Sequence, residues 1–213
     1  MRLEEKLQQY DELILLMAQR VNQMFQLARE ALNEADKEKA LKIVEMDDYV
    51  NHFDEDINLK ASEMLSLFQP VAKDLRAIIA GIKISTDLER IGDYAKSIAR
   101  FIIRNEPLDE VLLSGCNELF DIAIAQFNLT LEALRTNDVK LAFKVPEEDE
   151  KLDAGFIRIV TEIEQAIYTN ETEWKIPIKI ATLLRNLERA GDHTKNICES
   201  LIYKVKGQHI DFG

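Results

Sequence analysis

Leu88-Glu89-Arg90-Ile91-Gly92-Asp93 recurs as Leu187-Glu188-Arg189-Ala190-Gly191-Asp192, 99 residues further on. Extended outward, the register aligns Asp87 to Ile98 with Asn186 to Ile197, and Leu, Glu, Arg, Gly, Asp, Lys and Ile coincide at seven of twelve positions. The chain therefore reads as a tandem repeat. On a helix, Glu and Asp four residues apart project from one face about a turn apart, so each phrase aims two carboxylates at one point. Like charges so placed repel by roughly 0.2 to 0.5 kcal/mol, and by more where water is excluded. A positive group is expected there.

The chain has 213 residues, 46% hydrophobic and 31% charged, with only seven Gly and four Pro. Such a composition supplies a folded core and too few turn residues for a β architecture. The helical periodicity runs in six long stretches. The first, from about Leu3 to Glu34, contains neither Gly nor Pro and carries Leu13, Leu16, Met17, Met24, Leu27 and Leu32. Asp36 suits the cap of a second helix that lasts to Pro70, and Pro70 suits the first turn of a third that runs to about Arg104. Asn105-Glu106-Pro107 is a hinge, after which a fourth helix ends near Asn137.

The fifth stretch is expected to break at Val145-Pro146 and restart with Glu147-Glu148-Asp149 in its first turn, running to about Thr169. The sixth begins near Ile176 with Pro177 in its first turn, preceded by Trp174-Lys175, contains the second acidic phrase and ends near Gly207. The expected fold is all-α: two tandem three-helix bundles related by pseudo-two-fold symmetry, with repeats over 1–105 and 108–207 and a short tail over 208–213.

The helix preceding each phrase offers a second pair at the same spacing, Asp47 with Asn51 and Asp149 with Asp153, 102 residues apart. Antiparallel neighbours would bring Asp47 and Asn51 to face Glu89 and Asp93, and Asp149 and Asp153 to face Glu188 and Asp192. Chance alone places roughly seven acid pairs at this spacing in so acidic a chain, so repetition, not spacing, carries the argument. The bland alternative is a set of solvated surface acids. Oxygen-only donors favour hard ions such as magnesium, calcium or manganese, or carboxylate-bridged iron. His52 and His193 neighbour the acids in sequence but point about 100 degrees away from them, given the turn per residue. Arg90 and Arg189 are expected to bridge to neighbouring helices. Gly92 and Gly191, each costing about 1 kcal/mol against Ala within a helix, call for close helix contact or room for a ligand.

Several classes of function are disfavoured. A net charge of -12 without a basic run repels nucleic acid. The N-terminus has no secretory h-region, and no stretch approaches 18 uninterrupted apolar residues, so a cytoplasmic protein is expected. Cys116 and Cys198 lack partners at metal spacing and read as buried free thiols. No Glu stands three before a His, as di-iron bundle oxidases require, and no phosphate loop or nucleophile elbow occurs. A binding protein, not an enzyme, is expected.

Gln69-Pro70-x-Ala72-x-Asp74-Leu75-Arg76, Asp87-Leu88-Glu89-Arg90-Ile91-Gly92-Asp93, Leu187-Glu188-Arg189-x-Gly191-Asp192 and Asn196-Ile197-Cys198-Glu199 before Tyr203 and Lys206-Gly207 together resemble the PhoU family of phosphate-transport accessory proteins. The resemblance covers nearly the whole chain. It implies multinuclear iron or zinc clusters, with manganese or magnesium as further options, on ligands Asp47, Asn51, Glu89 and Asp93, and Asp149, Asp153, Glu188 and Asp192. It also implies negative regulation of the phosphate-starvation response by coupling a phosphate ABC transporter, through its ATPase subunit, to a sensor histidine kinase. Peripheral membrane association through those partners and self-association into a homodimer belong to the same expectation. Two other readings stay open: an accessory regulator of a different phosphate transporter, and a helical, carboxylate-bridged iron-storage protein.

Overall fold

Tyr10, Ile14, Met17, Val21, Met24, Ala28 and Ala31 are all removed from solvent, a stripe that returns every three or four residues along the first helix. That spacing gives an apolar face wide enough to be covered by two other helices. The computed structural model describes residues 2–169 and 175–213, the side chains of 166–169 and 175–178 excepted. Its helices are α1 (Leu3–Glu34), α2 (Lys37–Phe68), α3 (Ala72–Arg104), α4 (Glu110–Thr136), the short α5 (Val139–Ala142), α6 (Val145–Thr169) and α7 (Lys175–Lys206). Helices α1, α2 and α3 form one bundle, and α4, α5–α6 and α7 the other, as the repeat implies.

The same turn joins the first two elements of each bundle. Ala35 and Asn137 adopt left-handed conformations at the ends of α1 and α4, with φ of 51° and 50°. The backbone N–H of Asp36 then donates to Ala31 O and that of Asp138 to Ala133 O. Each aspartate in turn caps the next helix through its side chain, Asp36 accepting from Glu38 and Lys39 and Asp138 from Lys140. Two orphan ends are thus satisfied by two residues, once per repeat.

Two sequence expectations shift. Pro70 is not in the first turn of α3: Gln69 ends α2 in the left-handed region, Val71 is the extended cap, and Ala72 opens the helix. In the second bundle the helix breaks at Phe143-Lys144, and Pro146 sits in the first turn of α6, where its missing N–H costs nothing. Trp174 lies outside the described residues.

The bundles meet along two antiparallel seams. In the α1–α4 seam Asn22 donates to Asn128 at 2.8 Å, Arg29 pairs with Asp121 at 2.8 Å and Asn33 exchanges amide hydrogen bonds with Asn117. In the α3–α7 seam Lys179 reaches Asn105 at one end and Asn196 reaches Asp87 at the other. Between them the rings of Tyr94 and His193, themselves 99 residues apart, lie with centroids 5.8 Å from each other. Repeat-equivalent residues can touch only where the pseudo-two-fold axis passes. One apolar cluster continues across these seams through Leu88, Ile91, Ile98, Leu184, Leu187 and Ile197.

Candidate cation centre: two buried aspartates and their acidic rims

Gly92 and Gly191 decide how closely α2 approaches α3 and α6 approaches α7. A Cβ on Gly92 would stand 3.2 Å from Val50 Cγ1; one on Gly191 would stand 2.5 Å from Leu152 Cδ2 and 2.8 Å from Asp149 Oδ1. Close helix contact is therefore the reason for both glycines, and it delivers Asp47 and Asp149 into the interhelical space. Asp47 has no solvent exposure and Asp149 has 2%. A carboxylate so placed must be paired.

The pairing group is a lysine from the facing helix. Lys96 Nζ forms an ion pair with Asp47, and Lys195 Nζ lies 2.6 Å from Asp149 and 3.1 Å from Asp192. Both lysines are repeat-equivalent and stand three residues after Asp93 and Asp192, on the same helix face. Lys195 thereby also supplies a positive group to Asp192 of the second phrase, whereas the cation beside Glu89 and Asp93 of the first is Arg90. The sequence contained the signal, since Lys is among the seven coincident positions, but the role becomes visible only when α2 and α6 are in place.

Around each buried pair lies a rim of more accessible acids. Glu89 feels Asp93, Asp54 and Asp47, and burial followed by these charges raises its pKa against the opposing pull of Arg90. Glu188 is raised by burial, then by Asp192 and Asp153. Asp153 is raised by burial, then by Asp149, with Lys195 opposing. The structure thus sets Asp47 and Asp93 near Glu89, and Asp153 and Asp192 near Glu188, with Asp149 near Asp153 and joined to Asp192 through Lys195. Asn51 donates its amide to Asp47 at 3.3 Å. Asp54, seven residues after Asp47 on the same face, belongs to the first rim. Sequence reasoning passed over it because the repeat-equivalent position is Phe156.

The two centres differ in one atom's environment. Asp149 Oδ1 accepts a hydrogen bond from Gln126 Nε2 at 2.9 Å. The residue of α1 equivalent to Gln126 is the buried Met24, and Asp47 Oδ1 is buried without a hydrogen-bond partner among the described residues. Arg90 does not bridge to a neighbouring helix as expected: it lies 3.6 Å from Glu89 and 3.5 Å from Asp93 on its own helix, the reach of a side chain to its i+3 neighbour. His193 Nδ1–H donates to Asp87 Oδ1 across the α3–α7 seam, 2.8 Å away, and His52 contacts the Asp48 carbonyl. Cys116 and Cys198 are buried free thiols, with pKa pushed up to about 12 by burial.

Among the described residues no three carboxylate, imidazole or thiolate groups already converge on one metal position. The donor chemistry nonetheless fits a hard cation. All candidates present oxygen, burial and then neighbouring carboxylates raise the pKa of Glu89, Glu188 and Asp153, and Asp47 keeps an unused acceptor lone pair in the interior. The residues could hold positive charge in two ways: by the tethered ammonium inside, and by an ion gathered at the rim.

The PhoU domain family matches residues 14–102 and 116–201, one copy per bundle. The phosphate-specific transport system accessory protein PhoU of Serratia marcescens is 32% identical over 200 residues, covering 92% of this chain and 82% of that protein. A crystal structure of PhoU from Pseudomonas aeruginosa superposes with a TM-score of 0.89 at 30% identity, covering 97% of this chain and all of that one. The phosphate transport system regulatory protein PhoU from Streptococcus pneumoniae gives a TM-score of 0.89 at 26% identity, with 99% and 100% covered. No helix among the described residues is long and apolar enough to cross a membrane.

Proposed function

The chain belongs to the PhoU family, and from that premise we propose that it is a cytoplasmic accessory regulator of phosphate uptake, coupling a phosphate ABC transporter to a sensor histidine kinase as a negative regulator of phosphate-starvation signalling. The observation that carries the reading is the placement of the family match: each of its two copies contains one complete acidic centre. Relatives bear the names of accessory and regulatory proteins, which supports a role in binding over catalysis. The contacts proposed are the transporter's ATPase subunit and the kinase, with membrane association through them. Deletion of the gene tests this. Constitutive expression of phosphate-starvation genes in phosphate-replete medium is expected, and unchanged regulation would remove the assignment.

Within that role the acidic centres are cation sites, for iron or zinc first and manganese or magnesium second. Asp47, Asn51, Glu89 and Asp93 would hold one set and Asp149, Asp153, Glu188 and Asp192 the other. A bound cation would supply the charge that relieves carboxylate repulsion and would tie α2 to α3 and α6 to α7. Lys96 and Lys195 neutralise Asp47 and Asp149 when no ion is present, so an ion bound there would compete with the ammonium groups for those two carboxylates. The test is metal content by mass spectrometry on protein purified without chelator, beside E89A/D93A and E188A/D192A. Metal that falls centre by centre is expected. Its absence in every sample, even after adding iron, zinc or manganese, would reduce the acids to packing and docking features.

A further inference from the structure

Arg100, Arg104 and Lys179 line one groove of about 430 Å³ where the C-terminal half of α3 lies against the start of α7. All three are exposed, and none pairs with a carboxylate among the described residues; Lys179 bonds only the Asn105 amide oxygen, at 2.8 Å. The chain has 39 acids to 27 bases and a net charge of -12, yet this groove presents three exposed cations together. Phe101 gives the groove an apolar floor. In the adjoining hollow along the 105–109 linker, Glu106 and Asp109 join Arg104 and Lys179 in the lining, so the end free of acids is the one around Arg100.

The repeat supplies a second, independent observation. The positions 99 residues after Arg100 and Arg104 are Glu199 and Tyr203 on α7. Those two residues hold an extended peptide, the chain's own terminal segment. The Phe212 N–H donates to Glu199 Oε1 at 2.8 Å, and the His209 ring stacks on Tyr203 with centroids 4.3 Å apart. Phe212 is further seated edge-on against Phe143. This helix surface is therefore one that takes a short peptide in the second bundle. In the first, no described segment lies over Arg100 and Arg104, and cations stand at both positions.

We propose that the Arg100–Arg104–Lys179 groove is a docking site for a short, extended acidic peptide of a partner protein, with Phe101 as the apolar contact. All three cations are exposed, whereas a site for a single small oxyanion needs converging, desolvated donors. Exposed cations along a shallow groove instead favour a segment that presents several carboxylates in sequence, with attraction that salt weakens. This inference rests on neither the metal reading nor the regulatory one.

The test is fluorescence anisotropy of the full chain with a labelled synthetic peptide that alternates Glu with Phe, and with the same peptide carrying Lys for Glu. The acidic peptide is expected to bind, to weaken as sodium chloride rises, to bind roughly tenfold more weakly to R100E/R104E and to be retained by R100K/R104K. Circular dichroism establishes that the exposed substitutions leave the fold intact. Equal affinity for wild type and R100E/R104E, or equal binding of both peptides, overturns the proposal. So does displacement of the peptide by an equimolar amount of inorganic phosphate, which would mark a small-oxyanion pocket. Wild-type self-association that R100E/R104E abolishes, without peptide binding, would assign the groove to a second copy of the chain.

Discussion

The Lys195 ammonium stands 2.6 Å from the Asp149 carboxylate, the one 12% exposed and the other 3%, and both are fixed by packing between α6 and α7. Breaking such a pair leaves a charge uncompensated in the interior, which costs more than the pair itself contributes. Lys195→Met is therefore expected to lower stability by about 3 kcal/mol, read as a reduced urea midpoint. Adding Asp149→Asn to the same chain should restore most of the loss, because no charge is then stranded and Gln126 still has an acceptor. Failure of the second substitution to recover anything would show that the lysine acts through its packing alone.

The two helix glycines separate in their tolerance of a methyl group. Gly191→Ala places Cβ against Leu152 and Asp149 at distances side chains do not sustain, so α7 must shift, with a loss of about 1 to 3 kcal/mol. At Gly92 the nearest atom is Val50 Cγ1 at 3.2 Å, a few tenths too close. That smaller cost is offset by helix propensity of about 1 kcal/mol, and Gly92→Ala should be within experimental error of wild type. Equal destabilisation by both would contradict the asymmetry between the bundles.

Glu89, Glu188 and Asp153 titrate above their ordinary values of 4.5, 4.5 and 3.8. Each therefore holds its proton longer in the folded state than in the unfolded one, and the folded state binds more protons between the two values. Their contribution to stability is complete below the unfolded pKa and is lost as pH rises through the folded one. Glu188→Gln should accordingly raise the denaturation midpoint at neutral pH and bring no gain at pH 3. A midpoint at neutral pH that stays level or falls would show that the rim acids are not in conflict.

Ala35 occupies the left-handed position that Asn137 occupies in the second repeat. Alanine carries a steric penalty there that glycine avoids and asparagine tolerates. Ala35→Gly should stabilise by about 0.5 to 1 kcal/mol, with Ala35→Asn gaining less, measured as a shift in thermal midpoint. A loss in both variants would mean that the small Ala35 side chain is needed for packing.

The bounds of α1 were legible because a long stripe without Gly or Pro ends at a capping aspartate, Asp36. The approach of Asp47 to Glu89 could be foreseen for the same kind of reason, since antiparallel neighbours in a repeat leave few alternatives. Arg90 was misjudged because its own-helix acids lie within reach at i+3, a choice that rotamers make and spacing does not. Pro146 looked like an interruption and serves as a beginning, because only the position of the preceding turn decides which.

By itself the sequence determined periodicity, repetition and the residues that would have to share a helix face; these are local properties of a chain whose helix geometry is fixed at 3.6 residues per turn. The tertiary structure decided burial. It chose that Asp47 and Asp149 would be fully buried while Glu89 and Glu188 stay half-buried, and that Lys96 and Lys195 would neutralise the buried pair. It left Arg100 and Arg104 open while the chain's own end covers Glu199 and Tyr203. Which polar atoms lose their water depends on how closely two helices approach, and that distance is set by side chains from both of them at once.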